Sequence, residues 1–249
     1  MTPLIKICGI TRPEDLELCE ALGVDFVGLN FAAISPRCIS LGQARHLLAF
    51  SHHCKPVGIF AEESMEYIQE IVSALALPFV QLHGSHISDP VGFPATVIRA
   101  FRRVPYRQTI RSFQEKGDYV MLDGKANGVL ADWNAIVELP ADVRHQIFLA
   151  GGLDATNVGK AIEMIEPFAV DVASGVEREP GVKDHEKVRA FVAAVQDSQN
   201  TRVSPFDTVS RVTLSSPVPE RSDRYRAYRR VTGRPTQGDT LSSFSDSLL

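Results

Sequence analysis

Asp171-Val172-Ala173-Ser174-Gly175-Val176-Glu177, continued by Pro180-Gly181-Val182-Lys183-Asp184, reads as the end of a buried strand over Ala169–Ala173, a Ser-Gly turn, and then the approach to a helix. A small-residue turn just outside the carboxyl end of a strand lets backbone N–H groups come close to an anion. Upstream, Ile147-Phe148-Leu149-Ala150-Gly151-Gly152-Leu153-Asp154 repeats the form: an apolar run, two glycines, and an Asp placed to cap a helix starting near Ala155. Two successive strands ending this way match the phosphate cradle formed after the last two strands of a (β/α)8 barrel. Gly151, Gly152, Ser174 and Gly175 are therefore expected to hold a phosphorylated small molecule.

Working outward, strand and helix patterns alternate from the start. Strands are predicted over Leu4–Cys8, Phe26–Asn30, Pro56–Phe60, Phe79–His83, Val97–Phe101, Tyr119–Asp123, Ile147–Ala150 and Ala169–Ala173. Helical spacing covers Glu14–Leu22, Leu41–Phe50, Met65–Leu75, Tyr106–Glu115, Trp133–Leu139, Ala155–Ile165 and Lys183–Val195, and only the segment around Ile87–Phe93 is too short for a good helix. Eight such repeats with short connections predict an α/β fold, a single-domain TIM barrel over residues 1–197. The rival, an open doubly wound sheet, lacks a G-x-G-x-x-G after its first strand.

Bulk properties agree with one enzyme-sized domain. The 249 residues are 44% hydrophobic, enough for a full core, and the net charge of -4 exerts no general pull on nucleic acid or anionic membranes. The start of the chain lacks a signal-peptide layout and no apolar run is long enough to span a bilayer, so a cytoplasmic location is expected. Cys8, Cys19, Cys38 and Cys54 form no C-x-x-C pair; they read as reduced thiols, with no metal site. Residues 198–249 are rich in Ser, Arg and Pro with no sustained period. This tail is expected to be a disordered extension, despite a basic cluster around Tyr225 and Tyr228 of a kind that can bind RNA or a membrane.

Successive strand residues point to opposite faces. If the apolar sets pack under helices, the polar sets line the barrel axis: Lys6, Cys8, Asn30, Gln81, His83, Arg99, Asp123 and Asp171. In a closed barrel the first and last strands are neighbours, so Lys6 and Asp171 are expected to form a buried ion pair. Its ammonium, beneath Cys8, would favour a thiolate there.

These positions carry a family resemblance over about Lys6 to Val195. Lys6-Ile7-Cys8-Gly9-Ile10, Gly23–Phe31 with Ser35-Pro36-Arg37, Val57-Gly58-Ile59-Phe60, Val80-Gln81-Leu82-His83-Gly84, Leu122-Asp123, Ala150-Gly151-Gly152-Leu153 and the Asp171–Asp184 run occur in the order and spacing of phosphoribosylanthranilate isomerases. The resemblance implies an Amadori rearrangement in tryptophan biosynthesis, taking N-(5-phosphoribosyl)anthranilate to 1-(2-carboxyphenylamino)-1-deoxyribulose 5-phosphate without a cofactor. It implies that Asp123 is the general acid, Cys8 the general base and Arg37 the ligand of the anthranilate carboxylate, with His83 at the substrate and the protein a monomer or homodimer. The loop after Asp123 departs from the pattern: it reaches Asp132-Trp133 quickly and lacks a Gly-Gly-Thr-Gly stretch.

From the residues alone, Cys8 is also readable as a small buried hydrophobe, Asp123 as a turn cap, Arg37 as a surface charge and His83 as a structural imidazole. Asp154 and Asp184 read most simply as helix-start residues. Two other functional classes remain open at this level. One is another phosphosugar barrel enzyme, such as the related histidine-pathway isomerase, whose paired strand-end aspartates would here be Cys8 and Phe101. The other is a non-catalytic phosphate-binding barrel.

Overall fold

The computed structural model describes residues 2–84, 95–124 and 131–198. The segment around Ile87–Phe93, most of the loop after Asp123 and the tail beyond Ser198 lie outside the described residues. Eight parallel strands close into a barrel in chain order: β1 Leu4–Cys8, β2 Phe26–Asn30, β3 Lys55–Phe60, β4 Phe79–Leu82, β5 Thr96–Phe101, β6 Tyr119–Leu122, β7 Ile147–Leu149 and β8 Ala169–Val172. Pairing of β8 with β1 sets Lys6 opposite Asp171 and completes the ring.

Around the barrel lie α1 Pro13–Ala21, α2 Leu41–Leu48, α3 Met65–Leu75, α4 Arg107–Glu115, α5 Trp133–Val137, α6 Ala141–Arg144, α7 Val158–Ile165 and α8 His185–Asp197. Their starts follow local chemistry. Proline opens α1, Ser40 and Gln43 form a reciprocal capping box on α2, Ser64 caps α3, and Asp184 accepts the Glu186 and Lys187 N–H groups at α8.

Three expected boundaries are corrected. The helix predicted over Trp133–Leu139 ends at Val137, and Pro140, which cannot continue a helix, introduces the separate α6. Asp154 does not cap a helix at Ala155. Its carboxylate instead accepts the Thr156 N–H at 2.7 Å and the Asn157 N–H at 3.2 Å in a side-chain turn, and α7 begins only at Val158. The run after β8 does not lead straight into a helix at Lys183. A 3-10 turn at Ser174–Val176 is followed by an antiparallel hairpin, β9 Glu177–Glu179 and β10 Val182–Lys183, before α8 starts at His185.

The apolar residues divide as strand alternation requires. Ile5, Ile7, Val80, Leu82, Val120, Leu122, Val170 and Val172 face outward to helix residues such as Leu16, Ile68, Ile110, Ile162 and Phe191. Inside, Leu4, Phe26, Val57, Phe79, Ile98, Tyr119, Phe148 and Ala169 fill the amino-terminal half of the axis. Their rings meet edge to face, Phe26 on Phe79 at 5.2 Å and on Phe148 at 5.4 Å, with Tyr119 on Phe148 at 5.3 Å.

Arg99 is the exception to the predicted axis set. Ile98 and Ala100 take the interior side of β5, so Arg99 points outward. There its Nε donates to Asp118 at 3.0 Å and its guanidinium lies 4.5 Å from the centre of the Phe113 ring on α4. A buried carboxylate and an aromatic face offset the cost of desolvating that cation, so a polar residue here does not require a polar barrel axis.

Candidate active site

At the carboxyl ends of the strands a cavity of about 210 Å³ brings together all eight predicted site residues: Cys8, Arg37, His83, Asp123, Gly151, Gly152, Ser174 and Gly175. Asn30, Gln81 and Asp171 also line it. Cys8 ends β1 and Asp123 follows β6, so the two reach the cavity from opposite sides of the ring. The turns after β7 and β8 pack tightly together, and a Cβ on Gly175 would stand 2.0 Å from the Leu153 carbonyl oxygen. Gly151, at φ +86°, is constrained from the other side: a Cβ there would fall 2.1 Å from the Gly124 nitrogen and 3.1 Å from the Asp123 carboxylate. Only glycine lets the Asp123–Gly124 backbone lie this close to the β7 turn.

Asp123 is the group whose surroundings alter its chemistry most usefully. Burial, helped by the Asp171 carboxylate, raises its pKa from 3.8 to about 6, against the opposing pull of the Gly124 N–H, Lys6 and Arg102. His83 moves the other way. Burial, then the Lys6 ammonium, pull it down to about 4, so the imidazole is neutral near pH 7. It lies 2.7 Å from the Gln81 amide, the neighbouring axis-facing residue of β4.

Beneath the cavity the expected ion pair is present, with Lys6 Nζ 2.6 Å from Asp171 Oδ1. Burial works against the Lys6 ammonium, but Asp171 and Cys8 outweigh it and the pKa is raised. The expected help of this charge to a Cys8 thiolate is present but outweighed. Burial pushes the thiol above its ordinary value; Lys6, Lys183 and Arg37 act downward, while Asp171 adds to the rise.

Arg37 extends from the loop after β2 and forms a two-pronged pair with Glu177 of β9, Nε to Oε1 at 2.8 Å and Nη2 to Oε2 at 2.6 Å. Lys183 of β10 donates to the same carboxylate at 2.8 Å and to the Cys8 carbonyl at 2.6 Å. Burial would raise the Glu177 carboxyl, but Arg37 and Lys183 prevail and hold it below the usual range.

Sequence reasoning missed Glu177 and Lys183, and it missed Arg102, which lines the cavity after β5. Arg102 had a usable signal: it stands just beyond the carboxyl end of a strand, where barrel enzymes place their functional residues. Glu177 and Lys183 had only the Pro180-Gly181 turn between them, which marks a hairpin without saying what its two strands present inward.

The model of the family N-(5'phosphoribosyl)anthranilate (PRA) isomerase matches residues 5–194. The N-(5'-phosphoribosyl)anthranilate isomerase of Pseudomonas aeruginosa (strain UCBPP-PA14) is 39% identical over 202 residues, which cover 77% of this chain and 94% of that protein. A phosphoribosyl anthranilate isomerase solved in complex with reduced 1-(o-carboxyphenylamino)-1-deoxyribulose 5-phosphate is 34% identical, with a TM-score of 0.67 over 78% of this chain and 99% of that one. A structure described as mutually generated monomers of the dimeric enzyme from Thermotoga maritima is 34% identical, with a TM-score of 0.66 over 78% of this chain and 98% of that one.

Proposed function

The chain belongs to the N-(5'-phosphoribosyl)anthranilate isomerase family, and from that premise we propose how its own residues carry the Amadori rearrangement of tryptophan biosynthesis. Asp123, protonated, gives its proton to the furanose ring oxygen as the nitrogen lone pair expels that oxygen from C1, leaving a protonated imine between C1 and the anthranilate nitrogen. Through its thiolate, the minor form in the free protein because burial raises its pKa, Cys8 then removes the proton on C2. Its electron pair becomes the C1–C2 double bond of an enolamine, which tautomerises to the 2-ketose. Acid and base approach one substrate from opposite sides of the ring, so neither has to move between the two steps.

The substrate's two anionic ends have matching places. The phosphate is assigned to the turns Gly151–Gly152 and Ser174–Gly175, and the anthranilate carboxylate to Arg37, whose planar guanidinium suits two parallel hydrogen bonds. Neutral His83 serves as an uncharged hydrogen-bonding wall. One copy of the chain supplies every group in this scheme, so a monomer and a homodimer are equally competent. Among the described residues no helix is long and apolar enough to cross a membrane, and a small phosphorylated substrate fits a cytoplasmic enzyme. The barrel over 1–197 is proposed to be the whole catalytic unit, with 198–249 an appendage outside it.

The observation that carries this reading is Asp123: a carboxyl with a pKa of about 6, facing the cavity across the barrel from Cys8. Roughly a tenth of it is protonated at pH 7 in the free protein, against about a thousandth for an ordinary aspartate. The rival reading, a phosphate-binding barrel without chemistry, gives no reason to keep a costly buried carboxyl there. Freshly prepared phosphoribosylanthranilate loses the fluorescence of its N-glycosylated anthranilate on conversion. Folded protein that leaves that signal unchanged would remove the enzymatic reading.

A further inference from the structure

Arg37 can recognise a substrate carboxylate only if its long side chain is held in one place, and Glu177 is what holds it. A guanidinium has two edges able to grip a carboxylate side by side. Glu177 occupies the Nε–Nη2 edge, at 2.8 and 2.6 Å, which leaves Nη1 and the second Nη2 hydrogen to meet a ligand. The aliphatic stem is fixed as well: Gly9, at φ +75°, lies so close under it that a Cβ would fall 2.4 Å from Arg37 Cδ. Glu177 is itself anchored, accepting from Lys183 Nζ at 2.8 Å and from the Gly181 N–H at 3.2 Å. Lys183, fully buried, ties on to the Cys8 carbonyl at 2.6 Å and the Ala173 carbonyl at 3.5 Å. The β9–β10 hairpin thus joins the end of β1, which bears Cys8, to the turn after β8 and to the loop that carries Arg37.

We propose that Glu177 is a positioning residue for the substrate's aryl carboxylate, acting through Arg37. It aims the free edge of the guanidinium into the cavity, and it neutralises one of two adjacent cations so that a single positive charge remains to meet a single carboxylate. This rests on Arg37 being the carboxylate ligand.

The test compares two stable ligands on the full-length protein by calorimetry: reduced 1-(2-carboxyphenylamino)-1-deoxyribulose 5-phosphate and its counterpart with an unsubstituted phenyl ring. The quantity read is the ratio of the two affinities. In Glu177→Gln the carboxylate ligand should weaken by about ten- to a hundredfold, the range for a charge-assisted contact, and the phenyl ligand by less than about twofold. Adding Glu177→Gln to Arg37→Ala should then change the ratio no further, because both act through one contact. Should Glu177→Gln unfold, Glu177→Asp is read instead. It keeps the buried charge beside Lys183 but is one methylene too short to hold both nitrogens of Arg37, and the ratio must still fall. An unchanged ratio in a folded Glu177 variant, or equal weakening of both ligands, overturns the proposal. An unchanged ratio in Arg37→Ala would instead overturn the assignment of Arg37 itself.

Discussion

Below the Lys6–Asp171 pair the barrel axis holds Phe26, Phe79, Tyr119 and Phe148, rings packed edge to face. Above it the same eight strands present Cys8, Gln81, His83 and Asp123 to a cavity. Both halves are built by the same alternation of side chains, yet they answer to different demands. In the lower half buried apolar area stabilises the fold directly. In the upper half burial disfavours the charged forms of the groups that face the cavity, with a carboxyl raised to about 6, a histidine lowered to about 4 and a thiol raised above its ordinary value. Burial is the largest cause of all three shifts. The packing that makes the lower half stable pushes the titrating groups of the upper half toward their neutral forms, which suits Asp123 as an acid and works against a Cys8 thiolate.

The largest effect that should separate the halves is on turnover. Replacing Cys8 with Ala removes the proposed base and should lower kcat by a factor of about 10² to 10⁴, while the reduced product analogue still binds. Steady-state kinetics with calorimetry checks both. A variant that retained near-full turnover would move the base elsewhere.

Next comes the boundary between the halves. Lys6→Met leaves the Asp171 carboxylate buried without its ammonium and should cost about 3–5 kcal/mol, more than the double change Lys6→Met with Asp171→Leu. Denaturant unfolding of the three proteins measures this. If the double variant were the less stable, the pair would be contributing net stability beyond what its removal leaves stranded.

A smaller effect has the opposite sign. With a folded pKa near 6 and an ordinary value of 3.8, native Asp123 binds more protons than the unfolded chain between those values. The stability linked to its protonated form is complete below about pH 4 and is lost as pH rises through 6. Asp123→Asn should therefore stabilise the protein at pH 7 by about 2–3 kcal/mol, allowing for partial exposure, with the gain fading as pH falls from about 6 to about 4 and absent below that. Thermal unfolding across that range reads it, and a variant less stable than the parent at pH 7 would break the contrast between the two halves. The smallest effect is expected from the last residues of the chain. Since α8 ends at Asp197, removing residues 199–249 should change stability by less than about 0.5 kcal/mol and leave turnover as it was.

Most of the barrel was legible in the sequence because strand alternation and strand-end residues are local signals. Lys6 and Asp171 could be paired from parity alone, and Cys8 and Asp123 stood out as polar residues at the ends of apolar strands. Where local signals stopped, so did the reading. Arg99 broke the assumption that polar means inward, because Asp118 and Phe113, residues on neighbouring elements, make an outward position comfortable. Glu177 and Lys183 matter only once a hairpin turns them toward Arg37 and Cys8, a relation between segments about 140 to 175 residues apart. The net rise of the Cys8 pKa was not legible for a related reason. Nearby cations can be guessed from strand parity, but the depth of burial that outweighs them cannot.

The central claim, that the carboxyl end of the barrel spends stability to keep Asp123 available as an acid, has a direct test. The carboxyl carbon of Asp123 can be followed by NMR across pH in the ligand-free protein, with Asp123→Asn identifying the signal. A midpoint near 6 is predicted. A midpoint close to 3.8 would show an ordinary, ionised aspartate and contradict the account.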